Sequence, residues 1–208
     1  MVETVVVVAA GARGPLPNAD GAFVVAADGG ADAALELGLR VDLAIGDFDS
    51  IGDDALTALE HAGTRIERHS TTKDATDLEL ALDAALAADP RRILVVGSAG
   101  GRLDHLLSSL ELLASPRYAD VELDAQLGDV RVHVIRRARA LAGTPGELVS
   151  LHALHGAAHG VTTEGLEYPL AGETLEPGSS RGVSNLFTES EARVSLESGV
   201  LLAVRPGP

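Results

Sequence analysis

No cysteine occurs in the 208 residues, which removes disulfides, thiolate metal sites and thiol nucleophiles and leaves compartment unreadable from redox chemistry. Tryptophan is absent too, and Phe23, Phe48, Phe187, Tyr118 and Tyr168 are the only other aromatics. Core packing must come from Ala, Val and Leu, the bulk of a 46% hydrophobic composition. No apolar stretch approaches the roughly 20 residues that a bilayer-spanning helix needs.

Positive charge is equally scarce. The formal net charge is -15, and Lys73 is the only lysine among 16 Lys and Arg side chains. Sequence-independent nucleic-acid binding requires clustered cations against phosphates, so a small-molecule partner is the expectation. The start "MVETVVVVAAGARG" has an acid before its apolar run and no basic leader. It reads as a first strand and not as a signal peptide, and a soluble cytoplasmic protein is expected.

What is present falls into two grammars. As far as about Ala125, the runs "TVVVVAA", "AFVVAAD", "DLAIGD", "TRIERH", "RILVVGS" and "DVELDA" read as strands. Ala/Leu-rich helical stretches alternate with them, the pattern of a mostly parallel sheet covered by helices. "GADAALELGL" and "DDALTALEHAG" stop at glycines, Gly38 and Gly63. A further helix is marked by Thr76 with Glu79 three residues on, a capping box, by an apolar stripe of Leu78, Leu82 and Ala85, and by Pro90 beyond its end. Asp77 then lies in its first turn.

After about Gly128 the helical pattern disappears. "VRVHVIR", "GELVSLHAL", "EARVSLES" and "GVLLAVRP" read as strands between turns rich in Gly, Pro and Glu. The expected fold class is a Rossmann-like α/β domain over 1–126, followed by a smaller all-β sandwich domain over 127–208.

The acids carry the chemistry. Asp47 and Asp49, in "IGDFDS", follow an apolar run and so fall at a strand's carboxyl end, where open parallel sheets bind ligands. Asp28 in "AADGGAD" holds the same place after another strand, with Gly29 and Gly30 allowing a sharp turn or a close approach to a ligand. "TTKDATD" adds Asp74 and Asp77, with Lys73 among them. Five converging carboxylates repel one another and raise their own pKa values unless a cation joins them. A donor set of carboxylates alone suits Mg²⁺ shared with substrate phosphates. The placement of Lys73 favours contact with phosphate or with those carboxylates.

"VVGSAGGRLDH" reads as a strand, a glycine turn and a helix beginning near Leu103. Amides at such a helix start can hold phosphate, and Arg102 adds a planar cation. The stretch is neither a Walker A loop nor a dinucleotide fingerprint. His152, His155 and His159 fall in a strand-like segment that turns the first two to opposite faces, which makes them surface or partly buried side chains and not a metal site.

"ADGGAD", "GDFDS", "TKDATDLELAL" and "GSAGGRLDH", followed by "GLEYPL" and "GVSNLF", resemble in order and near spacing the thiamine pyrophosphokinase (thiamine diphosphokinase) family. The resemblance spans nearly the whole chain. It implies transfer of a pyrophosphoryl group from ATP to the thiamine hydroxyl, with Mg²⁺, giving thiamine diphosphate and AMP. By the same resemblance Asp47, Asp49 and Asp77 are metal ligands, and Asp77, Asp49 and Asp74 the catalytic acids. Asp28, Ser50, Lys73, Gly101, Arg102, Asp104 and His105 make up the ATP side, and Tyr168, Ser184 and Asn185 the thiamine side. A homodimer with sites shared between subunits is implied as well.

Two positions depart from the family pattern: Leu186 stands where an acid is usual and Glu167 where a basic residue is more common. A pyrophosphokinase for another alcohol, such as a pterin, and a noncatalytic nucleotide sensor remain alternatives. "DFDS" also matches the Asp-x-Asp nucleophile motif of haloacid-dehalogenase-like phosphatases, but it follows a later strand and the match ends there.

Overall fold

The computed structural model describes residues 2–13, 16, 21–49 and 51–207. The chain is a mixed α/β protein with a β-rich C-terminal part. It divides into two compact units, one of residues 1–109 with 120–128 and one of residues 110–119 with 129–208. A boundary drawn at 126/127 does not anticipate that 110–119 group with the second unit.

In the first unit the β-branched runs form β1 (Val2–Val8), β2 (Phe23–Ala27), β3 (Leu43–Gly46), β4 (Arg65–Arg68), β5 (Pro90–Gly97) and β6 (Glu122–Leu127). They lie in the order β6-β5-β1-β2-β3-β4, and every pairing among them is parallel. The chain builds outward from β1 to β4 and then returns to place β5 on the other side of β1. That reversal creates a switch point between β1 and β5, and all six carboxyl ends share one edge.

Helices α1 (Gly30–Glu36), α2 (Asp53–His61) and α3 (Asp77–Ala87) connect the strands, and α4 (Leu103–Leu113) follows β5. The Thr76 hydroxyl accepts the Glu79 N–H at 3.2 Å and so starts α3 where the capping spacing predicts. Val6, Val8, Val24, Ala26, Leu94 and Val96 supply much of the core, alternate residues of three neighbouring strands. Helix α4 begins at Leu103 as expected, yet its Leu103 and Leu107 are 68% and 56% exposed. Among the described residues, no helix is long and apolar enough to cross a membrane.

The second unit carries β7 (Val130–Ile135), β8 (Ala138–Ala142), β9 (Leu148–Ala153), β10 (Ala158–Glu164), β11 (Ala171–Leu175), β12 (Asn185–Leu186), β13 (Glu191–Ser195) and β14 (Leu201–Arg205). Strands β12-β9-β14-β7 pair side by side, and β11-β10-β13-β8 form a separate sheet, all antiparallel. One cluster of buried aliphatic side chains with Phe187 draws on both sets of strands. Four of these strands, β8, β10, β11 and β12, lie outside the runs read as strands in the sequence. Each is short or interrupted by glycine or polar residues, and long-range pairing decides its conformation.

Candidate active site

Strands β2 and β3 end side by side, which brings Asp28 against the turn Asp47–Phe48–Asp49. The Asp28 N–H donates to Ile45 O at 2.9 Å, and Asp28 Oδ1 accepts the Phe48 N–H at 2.9 Å. Both Asp28 and Phe48 have left-handed backbones, φ 44° and 60°. Such conformations are uncommon for residues with a Cβ and cluster at functional sites. Gly46 permits the approach, because a Cβ there would lie 2.9 Å from that of Asp28.

Asp28, Asp47 and Asp49 each offer a carboxylate oxygen within 4.8 Å of the others, the one such group among the described residues. Repulsion from Asp47, then burial, then Asp28 raise the Asp49 pKa. Asp47 moves the opposite way: its hydrogen bond from Lys73 lowers its pKa most, and the Asp49 N–H adds to this.

Lys73 Nζ lies 2.7 Å from Asp47 Oδ2 and 2.9 Å from Asp77 Oδ1. Burial alone lowers the lysine pKa, but the hydrogen bonds to Asp47 and Asp77 outweigh it and the net shift is upward. The ammonium therefore ties the β3 turn to the first turn of α3. Asp77 Oδ1 is shielded from solvent, and its partner is the Lys73 ammonium. Asp74 is exposed and stands outside the three-carboxylate group. Ser50 lies outside the described residues.

The loop after β5 sits at the switch point. Ser98 Oγ accepts the Gly100 N–H at 3.0 Å, and a Cβ on Gly11 would approach the Ser98 Cβ to 3.1 Å. Arg102 reaches Asp104 through Nε at 3.2 Å and a second nitrogen at 2.5 Å. That pairing holds the Asp104 carboxyl down at about 2. Gly101, Arg102, Asp104 and His105 are all exposed on this loop and the first turn of α4.

Two features of this edge escape sequence reading. The β1 loop with Gly11 is adjacent to Ser98, and "GARG" after the first strand was the available signal. Arg68, at the end of β4, lays its guanidinium 5.2 Å from the Phe48 ring centre. A lone arginine after "RIE" carries no such signal.

In the second unit, Tyr168 and Asn185 line one cleft of about 390 Å³ with Leu170 and the loop Ser179–Val183. Ser184 adjoins it, with φ 57° and its N–H donating to Ser150 Oγ at 3.0 Å. Arg181 at the rim forms a two-point pair with Glu173 at 2.9 and 2.8 Å. The histidines do not gather: His155 Nε2 lies 2.8 Å from the Glu111 carbonyl and His159 Nδ1 3.2 Å from the Thr174 hydroxyl. His155 sits in the turn between β9 and β10 and not within a strand.

A mixed α/β chain with acids and one ammonium at its strand ends, continued by a β-rich part, has the build of a kinase-type transferase. The chain belongs to the thiamin pyrophosphokinase family. Residues 18–124 match the model "Thiamin pyrophosphokinase, catalytic domain", and residues 131–201 match "Thiamin pyrophosphokinase, vitamin B1 binding domain". Thiamine pyrophosphokinase of Bacillus subtilis is 29% identical, over 98% of this chain and 99% of its own. A crystal structure of thiamine pyrophosphokinase from Bacillus subtilis superposes with a TM-score of 0.85 at 27% identity, covering 99% of both chains. One from Geobacillus thermodenitrificans gives 0.82 at 28% identity, covering 99% of this chain and 98% of its own.

Proposed function

We propose that the protein is a thiamine diphosphokinase, transferring the pyrophosphoryl group of ATP to the hydroxyl of thiamine and releasing AMP. The carrying observation is that both family models match in order, the catalytic one spanning every strand-end acid of the first unit. We read the first unit as Rossmann-like and the second as a β-sandwich. By family resemblance the enzyme works in the cytoplasm as a homodimer, with sites shared between subunits.

The residues fit Mg²⁺. The donors are hard carboxylate oxygens, and Asp49 is under repulsion that a cation would relieve. Asp47, Asp49 and Asp77 would hold the ion, with Asp28 beside them. Bound there, Mg²⁺ supplies neutralisation of charge on the phosphates being transferred.

Lys73 supplies a second, protein-borne positive charge at the same edge. Asp28, Ser50, Gly101, Arg102, Asp104 and His105 complete the ATP side. The acceptor oxygen attacks the β-phosphorus, the bond from that phosphorus to the oxygen of the α-phosphate breaks, and AMP departs with the electron pair. The hydroxyl proton passes to a carboxylate, for which Asp77 is the first candidate and Asp49 and Asp74 are the others. Positioning and charge neutralisation provide most of the acceleration. Tyr168, Ser184 and Asn185 form the thiamine side.

The test is incubation of purified protein with ATP, Mg²⁺ and thiamine, following AMP and thiamine diphosphate by chromatography. Equimolar appearance of both products is expected. AMP only with a different alcohol would reassign the acceptor, and no AMP with any acceptor would overturn the transferase reading.

A further inference from the structure

The cleft in the second unit contains an unusual use of an amide. Asn185 is 2% exposed, yet it lines the cleft beside Tyr168, which is 54% exposed. Its Oδ1 accepts the Tyr168 N–H at 3.0 Å and the Leu186 N–H at 2.9 Å. Its Nδ2 donates to the Tyr168 carbonyl at 2.8 Å. Both backbone polar groups of Tyr168 are thus held by one side chain.

The geometry has a simple origin. Residues 165–167 run antiparallel to 186–188, with the Thr188 N–H donating to Gly165 O and the Glu167 N–H to Leu186 O, each at 2.9 Å. Leu166 and Phe187 form the bridge between them. Beyond Glu167 and Leu186 the next facing residues are Tyr168 and Asn185, beside the left-handed Ser184. An asparagine side chain is a primary amide, so it offers the same donor and acceptor as a peptide group. Asn185 uses both to bind the Tyr168 backbone, where the ladder alternation offers no backbone partner.

The support beneath it is rigid. Asn185 pairs with Val149 in β9, and the Phe187 N–H donates to Glu147 O at 2.9 Å. The Phe187 ring lies against Gly143, where any Cβ would sit 2.5 Å from it, and Arg205 covers it at 5.2 Å. Arg205 is itself fixed by Glu147 at 3.0 Å.

We infer that Asn185 is a positioning residue that acts through Tyr168, setting the backbone from which the Tyr168 ring faces the acceptor, and that it makes no hydrogen bond of its own to the acceptor. Three of its hydrogen-bonding positions are already committed, and buried amides do not release such partners without cost. The kinetic half of this inference rests on the thiamine reading above; the structural half does not.

The sequence makes the test direct. There are two tyrosines and no tryptophan, and Tyr118 is fully buried. In a Tyr118→Phe background all tyrosine emission comes from residue 168. Asn185→Ala in that background should lower the emission anisotropy and raise quenching by acrylamide in a protein that remains folded. Asn185→Asp keeps the acceptor for both N–H groups but sets an anion against the Tyr168 carbonyl, so it should do the same and serves if the alanine variant fails to fold.

In turnover, Asn185→Ala should raise the thiamine KM about 10-fold with the ATP KM within about twofold of wild type. Made on top of Tyr168→Ala, it should add less than about twofold, because the two act as one unit. Unchanged anisotropy would overturn the clamp, and equal KM penalties in both backgrounds would show that Asn185 meets the acceptor itself. If the parent protein forms no thiamine diphosphate, the functional reading falls, while the anisotropy still decides the role of Asn185.

Discussion

Lys73 Nζ stands 2.7 Å from Asp47 Oδ2, joining residues 26 positions apart across the carboxyl edge of the sheet. The chain's only lysine is thereby an internal counter-ion, and Asp49 is left under repulsion from Asp47 and Asp28. Lys73→Met removes the chief cause of the lowered Asp47 pKa and unties α3 from the β3 turn. Turnover should fall on the order of 100-fold, the usual scale for losing one electrostatic stabiliser of a transferring group. Steady-state kinetics with far-ultraviolet circular dichroism checks this. A folded variant with wild-type turnover would remove Lys73 from the chemistry.

Asp77 and Thr76 are neighbours with separable duties. The cap of α3 is the Thr76 hydroxyl, and Asp77 Oδ1 points instead to Lys73. Thr76→Ala should therefore cost about 1 kcal/mol of stability, the usual value of a side-chain cap. Asp77→Asn should leave stability within about 1 kcal/mol and reduce kcat by a factor of about 100 or more, the range for a lost proton acceptor. Urea unfolding and kcat measured on both variants test the division. Equal kcat losses would mean that α3 is simply misplaced in each.

The first unit was legible because its signals are local. A run such as "TVVVVAA" cannot satisfy helical periodicity and forms β1, and acids directly after such runs lie at the carboxyl edge by topology alone. Thr76 and Glu79 announced a helix start through spacing. Other features depend on partners distant in sequence. Nothing near Asp28 or Phe48 signals a left-handed backbone, since Ile45 and the facing turn impose it. The grouping of Asp28 with Asp47 and Asp49, while Asp74 stays exposed, likewise follows from how strands β2 and β3 pair. In the second unit, Asn185 reads as a candidate ligand contact in sequence, and only the antiparallel ladder reveals its use as a peptide surrogate.

Gly30 shows the same gap between motif and cause. In "ADGGAD" the glycines suggest room for a ligand, but a Cβ at Gly30 would lie 2.0 Å from the Val8 carbonyl oxygen. The residue lets α1 start flush against β1. Gly30→Ala forces backbone against backbone, with no flexible side chain to yield, and should destabilise the protein by about 3 kcal/mol, the upper range of overpacking. Gly38→Ala is the control for glycine loss without a clash, since nothing lies within 4 Å of its Cβ, although its φ of 71° still disfavours alanine. Denaturant midpoints for the two variants separate the effects: Gly30 should lose clearly more, and equal losses would mean that a small backbone shift relieves the clash at Gly30.

Asp104 provides the pH prediction. Its carboxyl is held at about 2, against an ordinary 3.8, chiefly by the hydrogen bonds from Arg102. The folded pKa lies below the unfolded one, so the pair contributes stability above pH about 4, and that contribution drains away as pH falls through about 2. Both partners are well exposed, at 70% and 64%, so the effect on global stability is small and the carboxyl resonance is the better observable. Carbon-13 titration should place the Asp104 midpoint near 2 in the parent protein and return it toward 3.8 in Arg102→Met. With ATP bound, a phosphate that recruits Arg102 takes the guanidinium away from Asp104, and the midpoint should rise in the same direction without any substitution. An ATP-independent midpoint would mean that Arg102 remains with Asp104 and that its side chain does not serve the phosphates.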